Sequence, residues 1–229
     1  MYKVISDHKG FIIVSKDPGV SFHKDGNSKG LPAVIREDLG IGTLYSVHRL
    51  DRMTSGLLVF AKTPGVAKEL SDQFRCRTVE KYYLAISDRK SSKKQGTITG
   101  DMEKSRRGTW KLSRGRHDPA ITSFFSCALG EGLRLYLLRP YTGKTHQLRV
   151  AMKSLGAPVL GDCIYAKKEM CRECDRGYLH SYGLRFDLRG KIYEFENMPD
   201  SGEHFLSDTF LSNMSKYRNP WLMKWPQLK

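Results

Sequence analysis

Short apolar runs recur along this chain, each cut off by glycine, proline or charge before a helix could be completed. Phe11-Ile12-Ile13-Val14 is β-branched and ends at Lys16-Asp17-Pro18-Gly19, a turn signal. Leu57 to Ala61, Lys81 to Ser87, Ala120 to Cys127, Leu133 to Leu138 and Ile192 to Glu196 read as further strands, because runs this short fit a buried strand better than a helix. Helical patterns are fewer. From Pro64 to Arg75, Val66, Leu70 and Phe74 share one face, and Pro64 suits a first turn. A second helix is expected to start near Thr145, to show Leu148, Met152 and Leu155 on one face, and to stop at Gly156 before Pro158. A terminal helix over His204 to Met214 completes the set. Strands outnumber helices, and the two clearest helices each lie between strands. The pattern predicts an α+β fold: a mixed, largely antiparallel β-sheet flanked by helices.

Charge narrows the class of partner. Lys plus Arg number 39 against 24 Asp plus Glu, a formal charge of +15. Such a field favours phosphate backbones or anionic membrane surfaces, unless it is merely a solvated basic face. Lys90, Lys93, Lys94, Lys104, Arg106, Arg107, Lys111, Arg114 and Arg116 crowd the Ser/Gly-rich stretch from Arg89 to Arg116, read as a loop with one weak hairpin. With 39% apolar residues the chain can bury a sizeable core. No stretch approaches the roughly 18 apolar residues that a bilayer crossing needs, and Met1 to Gly10 lacks the apolar centre of a signal peptide. Five cysteines, an odd number thinly spread, point to reduced thiols and a cytoplasmic location, with no membrane partner.

The densest chemical signal is His48-Arg49-Leu50-Asp51-Arg52-Met53-Thr54-Ser55-Gly56, running into Leu57-Leu58-Val59-Phe60-Ala61-Lys62. It sets one carboxylate between two arginines in a loop about to enter a buried strand. Such an aspartate can form a turn or bridge to Arg49 or Arg52. It can also be a nucleophile or base held ionised by a neighbouring cation. Spacing alone does not choose. Neither a Gly-x-x-x-x-Gly-Lys-Ser/Thr phosphate loop nor a dinucleotide Gly-x-Gly-x-x-Gly is present in the sequence.

That stretch resembles, over its whole length, the signature H-R-L-D-x-x-T-S-G-L-L-V-F-A-K of RluA-type pseudouridine synthases. Other stretches match in the family's order. Lys81-Tyr82-Tyr83 is similar to K-x-Y, and Pro140-Tyr141-Thr142-Gly143-Lys144-Thr145-His146-Gln147-Leu148-Arg149 to P-x-T-G-R/K-T/K-H-Q-L/I-R. Gly156-Ala157-Pro158-Val159-Leu160-Gly161-Asp162 with Tyr165 resembles G-x-P-I-x-G-D-x-x-Y, and Leu179-His180-Ser181 a later L-H-A/S element. The early K-P-x-G motif departs: here it is Lys16-Asp17-Pro18-Gly19, shifted by one residue.

The resemblance implies a single catalytic domain over residues 1–229 with a central active-site cleft and no separate N-terminal RNA-binding domain. It implies an RNA isomerase that turns uridine into pseudouridine in transfer or ribosomal RNA, without a cofactor or metal, and as a monomer. Asp51 becomes the catalytic aspartate, Tyr83 the tyrosine against the target base and Arg149 the partner that keeps Asp51 charged. Arg49, His48, Lys144 and Leu148 become substrate-binding candidates. The base must leave its stack to be reached, at a cost of a few kcal/mol that stacking on Tyr83, worth roughly 1–3 kcal/mol, offsets. The competing reading is an inactive RNA-binding module of the same fold. Cys163, Cys171, Cys174 and His180 have the ligand types of a zinc site, but hold only one Cys-x-x-Cys pair, so unpaired thiols are expected there.

Overall fold

The computed structural model describes residues 1–26, 29–166, 171 and 173–228. In chain order its elements are β1 (Tyr2–Asp7), β2 (Phe11–Lys16), α1 (Leu31–Asp38), β3 (Tyr45–Ser46), β4 (Ser55–Ala61), α2 (Pro64–Cys76), β5 (Glu80–Ser87), β6 (Gln95–Gly100), β7 (Met102–Lys104), β8 (Trp110–Leu112), β9 (Ala120–Gly130), β10 (Leu133–Pro140), α3 (Gln147–Ser154), β11 (Leu179–Leu188), β12 (Lys191–Glu196), α4 (Glu203–Leu206) and α5 (Asp208–Met214). Every strand pair whose register is resolved runs antiparallel, so the α+β expectation holds. The chain divides into two compact units, residues 1–79 with 181–198, and residues 80–180 with 199–229.

The first unit is built on the strand order β1-β2-β4-β11-β12, with β3 added at the Ala61 end of β4. β2 and β4 are buried at every position, which explains why they read as unbroken apolar runs rather than alternating ones. Helix α2 lays Val66 and Leu70 onto Phe11, Ile13, Leu57, Val59, Leu184 and Phe186. Its start follows the sequence: Thr63 is the N-cap, its side chain accepting the Val66 amide at 3.4 Å, and proline opens the first turn. Gly56 is required by contact. Its φ is +100°, and a Cβ there would lie 2.3 Å from the Ser181 carbonyl oxygen on the neighbouring strand.

The second unit holds the order β5-β10-β9-β6 and a separate β7–β8 hairpin. Helix α3 packs on β8, β9 and β10, and α5 on β9. The terminal helix expected over His204 to Met214 is two short helices. Ser207 lies between them in extended backbone (φ −67°, ψ 147°), and its hydroxyl accepts the Phe210 amide at 3.3 Å to cap the second. The basic stretch is also more ordered than a loop. Its Gln95–Gly100 segment pairs with β9, from Gln95 opposite Phe125 to Gly100 opposite Ala120. The expected hairpin is there as β7–β8. Among the described residues no helix is long and apolar enough to cross a membrane.

Candidate active site

In the first unit the Asp51 loop is fastened at several points. Leu50 is buried beneath it, and the Asp51 carbonyl accepts the Thr54 amide at 3.0 Å, closing a tight turn over Asp51-Arg52-Met53-Thr54. Asp51 itself is half-buried. His48 serves this scaffold. Its Nε2 accepts the Val59 amide at 3.0 Å, and its ring stacks on Phe74 at 4.5 Å. Arg49 is exposed, with Nη1 2.7 Å from Nε2 of His23.

Lys16 is a contribution that the sequence did not single out. Its side chain is 1% exposed. Its ammonium donates to the carbonyls of Asp17 at 2.9 Å, Val20 at 3.0 Å and Arg52 at 3.1 Å. Three donors thus meet three acceptors, which is how a buried cation avoids its desolvation cost. Gly19 and Arg52 complete the clasp: the Gly19 amide donates to the Arg52 carbonyl at 2.8 Å, and Arg52 Nε to the Gly19 carbonyl at 3.0 Å. The one-residue shift in the early motif therefore leaves a lysine that ties its own turn to the residue after Asp51. A lysine inside a polar Lys-Asp-Pro-Gly turn gives no sign in sequence that it is buried.

In the second unit Tyr83 lies on β5 opposite Leu138 and is 8% exposed. Its neighbour Tyr82 points to the other face, as strand alternation demands; there its hydroxyl donates to Glu80, and the Arg139 guanidinium lies 5.5 Å from its ring. The Thr142-to-Arg149 segment is held by Gln147. The amide oxygen of Gln147 accepts the Thr142 hydroxyl at 2.7 Å and the Lys144 amide at 3.0 Å, while its Nε2 donates to Ile121 and Thr122. His146 stands ahead of α3 with φ +57°. Lys144 reaches Asp118, Leu148 is 8% exposed and Arg149 is 4% exposed.

Arg149 is gripped by Asp162. Nε donates to Oδ2 and Nη2 to Oδ1, each at 2.7 Å, and Asp162 is fully buried. This is the bidentate geometry in which arginine and carboxylate bind best. Asp162 Oδ1 also accepts the amides of Ile164 and Tyr165 at 3.0 and 3.2 Å. The Tyr165 ring faces the guanidinium at 5.0 Å. Gly161, just before Asp162, is forced by close approach: a Cβ would lie 2.1 Å from the Arg176 carbonyl oxygen. Asp162 and Tyr165 appear in sequence as motif members, but only folding shows that they hold Arg149 in its direction.

The expectation of unpaired thiols beside Asp162 is corrected for two of three cysteines. Cys163 and Cys171 are disulfide-bonded, with Cα atoms 5.1 Å apart, inside the range a disulfide spans. Cys174 keeps its thiol, pushed above the ordinary cysteine range by burial and then by the charges of Asp175, Asp88 and Glu173. His180 is buried in β11 against Phe205. Among the described residues no group of three or more His, Cys, Asp or Glu gathers to hold a metal.

A family model described as RNA pseudouridylate synthase matches residues 10–154. The chain belongs to that family, in its RluA-type branch, and is an RNA pseudouridine synthase, an isomerase. An uncharacterized RNA pseudouridine synthase of Haemophilus influenzae is 43% identical over 97% of this chain and 99% of its own length. The ribosomal large subunit pseudouridine synthase D of Borreliella burgdorferi is 35% identical over 74% of this chain and 52% of its own, so the chain spans about half the length of that relative. Two solved human structures share the fold. RNA pseudouridylate synthase domain containing 1 has a TM-score of 0.76 at 24% identity, covering 100% of this chain and 97% of that one. Domain containing 4 has a TM-score of 0.70 at 23% identity, covering 94% of this chain and 93% of that one.

Proposed function

We propose that this enzyme isomerises one uridine of a structured RNA, with Asp51 as the reacting carboxylate, Tyr83 against the target base and Arg149 as a further catalytic residue. The observation that carries the reading is the unbroken match of residues 48–62 to the family signature, on a loop that the structure fastens on both sides of Asp51. A carboxylate on so fixed a turn is oriented before substrate arrives, which is worth much of a barrier when the reacting atoms must meet in one geometry. The reaction breaks a glycosidic carbon–nitrogen bond, turns the uracil and closes a carbon–carbon bond to the same ribose, leaving composition unchanged. Asp51 serves as nucleophile or base in that sequence. Leu148 adds an apolar wall, and Arg49 and Lys144 offer cations to the RNA backbone. His48 acts through the scaffold described above.

Ribosomal RNA is the preferred substrate, since curated relatives carry large-subunit ribosomal names; transfer RNA is the second. A cytoplasmic, monomeric enzyme working without cofactor accompanies this reading. The test is a map of pseudouridines in total RNA from cells with and without the gene. A site lost with the gene, restored by wild type and not by Asp51→Ala, is the expected result. Restoration by Asp51→Ala, or tritium release from uracil-labelled RNA by that variant, overturns the assignment.

A further inference from the structure

The side chain of Tyr165 links the basic hairpin to the Arg149 cluster. The Tyr165 hydroxyl accepts the backbone amide of Trp110, on β8, at 3.0 Å and shares a 3.0 Å hydrogen bond with Nδ1 of His146, the residue that opens α3. Its ring is buried, 5.0 Å from the Arg149 guanidinium and 5.5 Å from the Lys153 ammonium. Its own amide is held by Asp162, which grips Arg149. The hairpin end of this chain of contacts is exposed and cationic: Lys104, Arg106 and Lys111 all face solvent, and Lys104 stands 6.0 Å from the Trp110 ring. α3, which carries Arg149, packs on β8.

We propose that Tyr165 is a positioning residue that couples engagement of RNA by the β7–β8 hairpin to the setting of Arg149. The argument is one of connection through rigid groups. Phosphates met by Lys104 on one face of the hairpin, and by Lys111 beside Glu103 on the other, fix the hairpin backbone. The Trp110 amide then fixes the Tyr165 hydroxyl, and the tyrosine, with few rotamers and a packed ring, holds both the start of α3 and the face of the guanidinium. An arginine displaced by a fraction of an ångström loses its alignment, and a misplacement of about 1 Å can cost about a hundredfold in rate. RNA that fails to seat the hairpin would therefore be turned over slowly even when bound. This inference rests on the function proposed above.

The experiment is a double-mutant cycle on the full chain, with Tyr165→Phe, the pair Lys104→Ala and Lys111→Ala, and all three together. Affinity for a structured ribosomal RNA fragment and the single-turnover rate at saturating enzyme are measured for each. Tyr165→Phe keeps the ring and removes only the hydroxyl; its melting temperature, read alongside, confirms that it folds. The expected result is a rate about tenfold lower at unchanged affinity for Tyr165→Phe. The lysine pair weakens binding and also slows turnover in the wild-type background, but only weakens binding in the Tyr165→Phe background. Rate effects that simply multiply, or a lysine pair that leaves the rate untouched, overturn the coupling. An active Asp51→Ala control instead overturns the functional reading on which it rests.

Discussion

Arg149, proposed as a catalytic arginine, shows how little of such a residue's setting lies in its own motif. The residue is 4% exposed, and its Nε and Nη2 are both taken by a carboxylate thirteen residues further on. Removing one partner of a buried pair leaves an uncompensated charge, which costs about 3 kcal/mol or more. Asp162→Asn keeps the shape and removes the charge. It is expected to lower the melting temperature by roughly 6–12 °C, since about 1 kcal/mol moves a chain of this size by 2–4 °C; an unchanged melting curve would show that the pair carries no such weight. Cys174 permits a pH test. Burial, then three nearby carboxylates, raise its thiol pKa, so at neutral pH it holds less thiolate than an ordinary cysteine. Alkylation by iodoacetamide should be slower at Cys174 than at exposed Cys76, and should accelerate only as pH climbs past the ordinary thiol range. Equal rates at neutral pH, followed by mass spectrometry, would contradict that environment.

At the scale of elements, what was legible depended on whether a segment owes its form to its own side chains. β2, β4, β5, β9, β10, α2 and α3 announced themselves through apolar periodicity and caps, and their cores lie where the runs placed them. α1 did not: it is eight residues long, buries only Leu31 and Ile35, and begins at a glycine with no side-chain cap. β6 did not either, because Gln-Gly-Thr-Ile-Thr-Gly has a single large apolar residue and is held by backbone pairing to β9. β11 was seen only as Leu179-His180-Ser181, since Gly183 and Arg185 interrupt its apolar run. The candidate residues divided the same way. Asp51, Tyr83 and Arg149 were legible as motif letters, whereas Lys16 and the grip of Asp162 are tertiary facts. Gly56 belongs to this scale because it governs how closely β4 and β11 approach. Gly56→Ala pairs a φ of +100° with a Cβ 2.3 Å from a backbone oxygen. Strain of that backbone kind costs about 1–3 kcal/mol before the clash is counted, and the clash must move a strand. The variant should melt at least several degrees lower in a thermal scan; wild-type stability would mean that the two strands part at little cost.

For the whole molecule, the excess of 39 basic over 24 acidic residues acts as a field rather than as single contacts. Its densest exposed portion includes Arg89, Lys90, Lys93 and Lys94, on the connection between β5 and β6, where a loop can meet a phosphate backbone without disturbing the sheet. Each phosphate neutralised releases counterions, so the logarithm of affinity falls linearly with that of salt, by about 0.7 per contact on single strands and about 0.9 on duplex. Lys90→Ala, Lys93→Ala and Lys94→Ala together should therefore reduce the steepness of the salt dependence by up to about 2.1 on single strands and about 2.7 on duplex, and weaken binding most at low salt. Sequence preference among RNAs should stay the same, because phosphate contacts position without reading bases. A binding series from low to high salt distinguishes this from a merely solvated basic face. In the latter case the variant and the wild type trace parallel lines, and the slope belongs to other cations, those of the β7–β8 hairpin, Arg49 and Lys144 among them.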